Sequence, residues 1–402
     1  MRHRCHAILT AAAGLLSVVA PAGAQCMYDA IAIGEVPPQG HCTPSDGTWH
    51  AVNDFGLVGG YYQFCQDPLP SRPVLWSAET GLIYPTMPPP LVWGRIESIN
   101  NAGDYCGRSK TAGSSVTDVS FIVIGGQWTI LETLPGGTYI TATAINDARQ
   151  VVGFWANAAL GTESGFLWEN GVLTDLGPAL GVPYSRVLHI SECGQITGYF
   201  KPRAVTDPAH AFRYDLYDGT FEDLGIIPDG TFTLGTAIAC SGYVVGSGWT
   251  TRWHAMFWNN TEMIVLDADI GWWESHCYDI NRFGTICGSM KETPRSITRP
   301  LLWQNGELHQ IVNLLSDQAQ SLIAELQQTA WAIRDDGVIL AGDLLLVPIS
   351  PPGDVTRDCR VDETDLLTVL EDWGLARSPA DLTGDGVVDH HDLAEVLAGW
   401  IR

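Results

Sequence analysis

A turn followed by a strand that ends in glycine recurs seven times in this chain, and nothing else constrains its fold as tightly. The copies run from Val52-Asn53-Asp54-Phe55-Gly56 to Gly59 and from Ile99-Asn100-Asn101-Ala102-Gly103 to Gly107. They continue from Ile145-Asn146-Asp147 to Gly153, Ile190-Ser191-Glu192-Cys193-Gly194 to Gly198, and Ile238-Ala239-Cys240-Ser241-Gly242 to Gly246. The last two run from Ile280-Asn281-Arg282-Phe283-Gly284 to Gly288 and from Ile333-Arg334-Asp335-Asp336-Gly337 to Gly342. The closing glycines lie 48, 46, 45, 48, 42 and 54 residues apart. Asn and Asp accept local backbone hydrogen bonds, and Gly takes the positive φ of a short hairpin loop.

An apolar strand follows most hairpins, as in Pro73-Val74-Leu75-Trp76, Gly165-Phe166-Leu167-Trp168, His210-Ala211-Phe212 and His254-Ala255-Met256-Phe257. A tight turn such as Asn170-Gly171 or Asn305-Gly306 leads to a fourth strand, which reads Phe221-Glu222-Asp223-Leu224-Gly225 in one copy. Four strands in about 47 residues make one propeller blade. The seventh copy lacks its fourth strand, and Tyr28 to Gly34 has the missing pattern. The reading is therefore mainly β: a seven-bladed β-propeller over 25–349, closed by the N-terminal strand. Six blades with a divergent cap, or a β-solenoid, are the alternatives.

His210-Ala211-Phe212, the Ile-Asn…Gly…Val-Val-Gly elements and Asp-Leu-Gly resemble the HAF repeat of exported bacterial proteins. So does the end of the region, Ile311 to Leu315, a helical insert over about 316–327, and Leu344 to Ile349. The resemblance covers about 28–349 and implies a repeat β-fold without an established chemistry.

A linker, Ser350-Pro351-Pro352-Gly353, precedes a different repeat. Residues 354–373 and 381–400 match at an offset of 27, with ten of 20 positions identical. Oxygen side chains fall at loop positions 1, 3, 5, 9 and 12: Asp354, Thr356, Asp358, Asp362 and Asp365, then Asp381, Thr383, Asp385, Asp389 and Asp392. Position 7 offers the backbone carbonyl of Arg360 or Val387. This is an EF-hand ligand scheme for two Ca²⁺ ions. Cys359 replaces the position-6 glycine of the first loop, which predicts weaker binding there. Leu366, Val369, Leu370 and Trp373 recur as Leu393, Val396, Leu397 and Trp400, which predicts two apolar stripes that pack together. Residues 354–402 resemble a type I dockerin. By position, the resemblance implies cohesin-like partner contacts at Glu363, Thr364, His390 and His391.

The chain carries 21 Lys+Arg against 45 Asp+Glu, a net charge of −24, which argues against nucleic acid as a partner. With 46% apolar and 16% charged residues, it has the composition of a folded chain. Residues 1–24 read as a signal peptide: Arg2 and Arg4, an apolar run from Ala7 to Ala20, and Ala22-Gly23-Ala24 before the cut. No later stretch is apolar enough to span a membrane. The expected location is exported: extracellular, periplasmic or cell surface. Nine Cys remain, an odd number that leaves at least one free or paired between molecules; Cys26, Cys42 and Cys65 are close enough in sequence to cross-link the N-terminal region, and buried or free thiols are the alternative.

No Gly-x-Ser-x-Gly and no His-Glu-x-x-His occurs. Ser45-Asp46-Gly47-Thr48-Trp49 resembles a sialidase Asp box only in part and reads as a turn. Asp175, Asp223, His210 and His254 sit at repeat positions and read as structural. His189, Arg334 and His276 are candidates to face a central channel, and Trp272 and Trp273 to stack on a sugar. These observations lead to an exported protein with more signs of a non-enzymatic scaffold than of an enzyme. Its calcium-binding tail would attach it to a cohesin-like or cell-surface partner. The alternative is a carbohydrate-active propeller, hydrolase or lectin, delivered by the same tail.

Overall fold

A computed structural model of the protein describes residues 26–34, 49–63, 71–112, 118–157, 161–322, 328–376 and 378–400. The signal segment 1–24, Cys42, Cys65 and the turn 45–48 lie outside the described residues.

Among the described residues twenty-eight strands form seven four-stranded sheets, so the propeller has seven blades and the six-bladed and solenoid alternatives fall. Within blades I to VI each strand pairs antiparallel with the next one in sequence. Blade I starts at Trp49–Val52, blade II at Leu91–Ile99, and blade III at Tyr139–Ile145. Blades IV, V and VI start at Tyr184–Ile190, Phe232–Ile238 and Glu274–Ile280. Blade VII takes Ala330–Ile333, Ile339–Ala341 and Leu344–Ile349 from the end of the repeat region and Met27–Ala32 from its start. Met27 pairs with Ile349 and Ala32 with Leu344, so the ring is closed by the predicted N-terminal strand.

The third strand of each blade places at least one apolar residue in the interior. Val74, Phe121, Phe166, Phe212, Met256, Leu301 and Leu346 are all completely buried. Burial of each such side chain contributes on the order of 2 kcal/mol. The apolar strands thus supply the packing between neighbouring blades, as their pattern requires.

Every innermost strand also carries a β-bulge at the same place, at His50, Glu97, Thr143, Leu188, Thr236, Tyr278 and Trp331. A bulge adds an unpaired residue and re-aims its side chain. It also explains the closing glycines. A Cβ on Gly153 would stand 1.9 Å from the Thr141 carbonyl oxygen, and Gly198, Gly246 and Gly288 meet Arg186, Leu234 and His276 at the same distance.

The described α-helices are four and short: Gly177–Leu180, Asp317–Leu322, Glu363–Glu371 and His390–Trp400. The insert predicted over 316–327 is helical at its start, and 323–327 lie outside the described residues. No helix among the described residues is long and apolar enough to cross a membrane. The last two helices pack on one another around Val355, Val369, Ala380, Val388 and Val396.

Two expectations are corrected. Cys26 does not cross-link the N-terminal region: it bonds to Cys359, 333 residues away, and Cys193 bonds to Cys240. Cys106, Cys277 and Cys287 are buried free thiols. The second correction concerns the helix stripes. Leu366, Val369, Leu393 and Val396 enter the small core. Leu370, Trp373, Leu397 and Trp400 do not, and remain 43–50% exposed. Five buried small residues already fill the space between two such short helices.

Candidate functional site

The two tail loops fold the same way, residue for residue. The position-1 carboxylate accepts the amides of positions 5 and 6: Asp354 from Asp358 (3.1 Å) and Cys359 (2.8 Å), Asp381 from Asp385 (3.2 Å) and Gly386 (2.9 Å). The position-12 carboxylate accepts the amides of positions 3 and 9: Asp365 from Thr356 (2.9 Å) and Asp362 (2.8 Å), Asp392 from Thr383 (2.9 Å) and Asp389 (2.8 Å). Position 5 accepts from position 7, as Asp358 does from Arg360 and Asp385 from Val387. Position 9 caps the following helix: Asp362 accepts from Thr364 and Asp389 from His391. Positions 4 and 6 have positive φ in both loops: Arg357 and Cys359, Gly384 and Gly386. The sequence had marked position 6 but not position 4.

This amide network curls each loop and sets Asp354, Asp358 and Asp365 close enough to repel one another, although among the described residues no three of the ligand-position carboxylates bring oxygens within 4.8 Å of one another. The first loop is the more enclosed. Asp354 and Asp365 are fully buried, and the buried Thr356 Oγ1 has no hydrogen-bond partner. Burial pushes the Asp354 carboxyl up to about 7, and Asp365 and Asp358 add like-charge repulsion. Burial also raises Asp358 and Asp365. In the second loop, burial opposes ionisation of Asp392, but the amides of Asp389 and Thr383 outweigh it and hold this carboxyl low. All the donors are oxygens, as a hard cation requires, and an unpartnered buried hydroxyl at a ligand position fits the same group.

The residues predicted for partner contacts, Glu363, Thr364, His390 and His391, are exposed at the starts of the two helices. They are not equivalent in setting. Thr364 lines a cleft of about 860 Å³ between the first tail helix and the aromatic edge of blades V and VI, Phe257 and Trp303 among them.

The channel is a second concavity, of about 310 Å³. It is an open concavity lined by polar, aromatic and aliphatic groups, Asn100, Glu192, Tyr278, Trp331, Ile145 and Leu188 among them. Trp331 touches Tyr278 on one side (4.9 Å between centroids) and His50 on the other (5.3 Å). The turn asparagines hold the ring together around it. Asn53 Nδ2 donates to the Asn100 carbonyl (2.9 Å), Asn100 to Asn146 (3.0 Å), Asn146 to Ser191 (3.2 Å) and Asn281 to Arg334 (3.2 Å). Asp cannot donate in this way, which is the signal the sequence carried: Asn, not Asp, recurs at this position. Between blades IV and V, where Ser191 and Ala239 replace Asn, the Cys193–Cys240 disulfide joins the turns. At the closure, Arg334 Nη2 donates to the Asp54 carbonyl (2.6 Å).

Of the three channel candidates only His189 lines the cavity. Its Nδ1 accepts the Ile238 amide of blade V (3.3 Å), and burial lowers its pKa to about 4. His210 and His254 are structural: they bond Asp223 (2.9 Å) and Asp267 (3.0 Å), linking the third strand to the end of the fourth. That link ties the His-Ala-Phe and Asp-Leu-Gly motifs together. Asp175 plays the same part with Ser164. Trp272 is buried against Met290 and Leu301, so only Trp273 is exposed.

His276 sits in a row that sequence reading missed. Ser247 Oγ lies 3.0 Å from His276 Nδ1, and Glu274 lies 3.5 Å from Nε2. These are triad residue types, but Ser247 is 2% exposed, so no acyl group reaches its Oγ in this structure. The row joins blades V and VI.

No protein-family model matches the chain, and no curated protein matches it. Solved structures do. An acylaminoacyl peptidase from Pyrococcus horikoshii matches at TM-score 0.45 and 12% identity, over 72% of this chain and 47% of that one. The chain thus spans about half the length of that peptidase. YCF48 bound to D1 peptide matches at TM-score 0.45 and 10% identity, over 80% of this chain and 97% of that one. TolB from Acinetobacter baumannii matches at 0.42 and 9%, over 64% and 62%. The likeness is one of fold. It corrects the non-enzymatic scaffold reading, because matched propellers belong to acylaminoacyl peptidase and puromycin hydrolase. Lack of a catalytic motif in a propeller sequence is no ground for excluding chemistry.

Proposed function

We propose that this is an exported calcium-binding β-propeller protein of the HAF-repeat kind. Its dockerin-like tail, 354–402, holds two Ca²⁺ ions. One observation carries the reading: two loops with the same amide-to-carboxylate network, one of them enclosing a buried, unpartnered Thr356 hydroxyl. Asp354, Thr356, Asp358, Asp362 and Asp365 with the Arg360 carbonyl would hold one ion. Asp381, Thr383, Asp385, Asp389 and Asp392 with the Val387 carbonyl would hold the other. Calcium supplies positive charge there, beyond the partial compensation that Arg357 and Arg360 give the first loop.

Calorimetric titration of the mature chain with Ca²⁺ tests this. Two bound ions are expected, and Asp381→Ala should remove one. Absence of binding by both calorimetry and equilibrium dialysis sinks the reading.

The exposed Leu370, Trp373, Leu397 and Trp400, with His390 and His391 near the second loop, suit a protein partner of the cohesin-like kind. The aromatic arc of the channel suits a carbohydrate ring. A polysaccharide panel checks the latter: a Trp331→Ala variant that binds and turns over every glycan as wild type does would exclude it.

A further inference from the structure

The two loops share one fold but not one setting, and the first belongs to the propeller as much as to the tail. Its position 6, Cys359, is bonded to Cys26, the residue just before the ring-closing strand. Both sulfurs and an Asp354 carboxylate oxygen lie within 4.8 Å of one another. Blade VI grips positions 4 and 5: Gln304 Nε2 donates to the Arg357 carbonyl (3.0 Å) and Asn305 Nδ2 to the Asp358 carbonyl (3.3 Å). Blade VII packs on the same tip, since a Cβ on Gly337 would stand 2.9 Å from Arg357 Cβ. Cys359 itself lies against the buried cluster of Tyr28, Leu346 and Ile339, the interior of the closing blade. The second loop has no such surroundings. Its carboxylates accept bonds from its own amides, and Thr383, Asp385 and Val387 are exposed.

We propose that the first loop is a structural calcium site of the propeller, whose cation holds the ring seam shut, while the second is an exchangeable site on the surface. The proposal rests on the calcium reading above. Without the ion, Asp354, Asp358 and Asp365 repel one another with only Arg357 and Arg360 to offset them in part, and the loop that carries Cys359 loses its fixed shape. That strain passes to Cys26, and from there to the six-residue pairing of Met27–Ala32 with the last strand. A ligand that binds only the folded seam stabilises it by mass action.

The test uses the intact, oxidised mature chain. Hydrogen exchange of the amides in 27–32 is followed with saturating Ca²⁺ and with a chelator. Exchange at least tenfold slower with Ca²⁺ is expected there, with little change in blades II to IV. In parallel, thermal unfolding is followed in Asp358→Ala and Asp385→Ala. Ca²⁺ at a hundredfold excess over its Kd should raise the propeller transition by about 5 °C in Asp385→Ala. It should leave Asp358→Ala unmoved. Two ions bound by calorimetry with unchanged exchange at 27–32 overturns the proposal and leaves the calcium reading standing. No bound calcium overturns both. If Asp358→Ala does not fold, the wild-type exchange decides alone.

Discussion

The two tail loops are copies in sequence and in their amide-to-carboxylate bonds, yet the first is packed against the propeller and the second is mostly exposed. Asp354 and Asp381 accept the same two amides, but Asp354 is completely buried and Asp381 is not. Position 6 shows how the difference arose chemically. Gly386 at φ 97° is the residue that backbone conformation favours. Cys359 adopts φ 67° there at a steric cost and gains a covalent bond to the closing strand. What looks in sequence like a damaged loop is an attached one. The same set of oxygen-bearing residues therefore stands in two different settings.

The disulfides test that contrast with the largest expected effect. Cys26–Cys359 closes 333 residues of chain and Cys193–Cys240 closes 47. In the chain-entropy description these loops correspond to upper values of about 6 and about 4 kcal/mol. Cys26→Ser should thus lower the denaturation midpoint more than Cys193→Ser. It should also weaken the first calcium site and spare the second, whereas Cys193→Ser spares both. Equal calcium affinities in wild type and Cys26→Ser would break the comparison.

The ring repeats the lesson, with one position in two settings. His189 of blade IV and Asp279 of blade VI are equivalent, each two residues before the turn. Each accepts an amide of the next blade, Ile238 at 3.3 Å and Ile333 at 2.9 Å. Their titrations run in opposite directions. Burial lowers His189 to about 4, so the unfolded chain binds the proton first and stability falls as pH drops from about 6.5 through 4. Burial, with Asp335 and Asp54 nearby, raises Asp279 to about 7. The folded chain holds that proton longer, so its contribution is present below about 4 and is lost as pH rises through 7. Each effect is on the order of 3 kcal/mol. Against wild type, His189→Gln should lose less stability on acidification, and Asp279→Asn less on alkalinisation. Urea denaturation from pH 4 to pH 8 measures both slopes; parallel curves for the two variants would refute the assignment.

These contrasts also separate what the sequence displays from what it hides. Hairpin turns and strand periods are local, so the seven blades, the missing fourth strand and its replacement by Met27–Ala32 are legible. The matching amide-to-carboxylate turns of the two tail loops are legible for the same reason, because each lies within one loop. The bulges are not, since a bulge exists only relative to a partner strand; only the recurring Gly153, Gly198, Gly246 and Gly288 hint at it. Nor does spacing reveal that Cys26 meets Cys359, because the two approach only when the ring closes. The exposed Leu370, Trp373, Leu397 and Trp400 share a period with the buried Val369 and Val396, so periodicity cannot tell them apart.

The smallest expected effect probes the far end of the attached half. Arg282, in the turn of blade VI, donates from Nη2 to Asp372 at the end of the first tail helix (2.8 Å) and lies 3.7 Å from Asp335. Asp372 is nearly buried, whereas Arg282 is about one-third exposed, so the pair is screened on one side. Such a pair contributes about 1 kcal/mol. Arg282→Ala should cost about that much in stability, with Arg282→Lys restoring part of it. If the first helix is anchored to the propeller through this contact, the alanine variant should also accelerate amide exchange over 363–371 while leaving 390–400 as they were. Equal acceleration of both helices would mean that the tail moves as one body, and that attachment of the first loop ends at its tip.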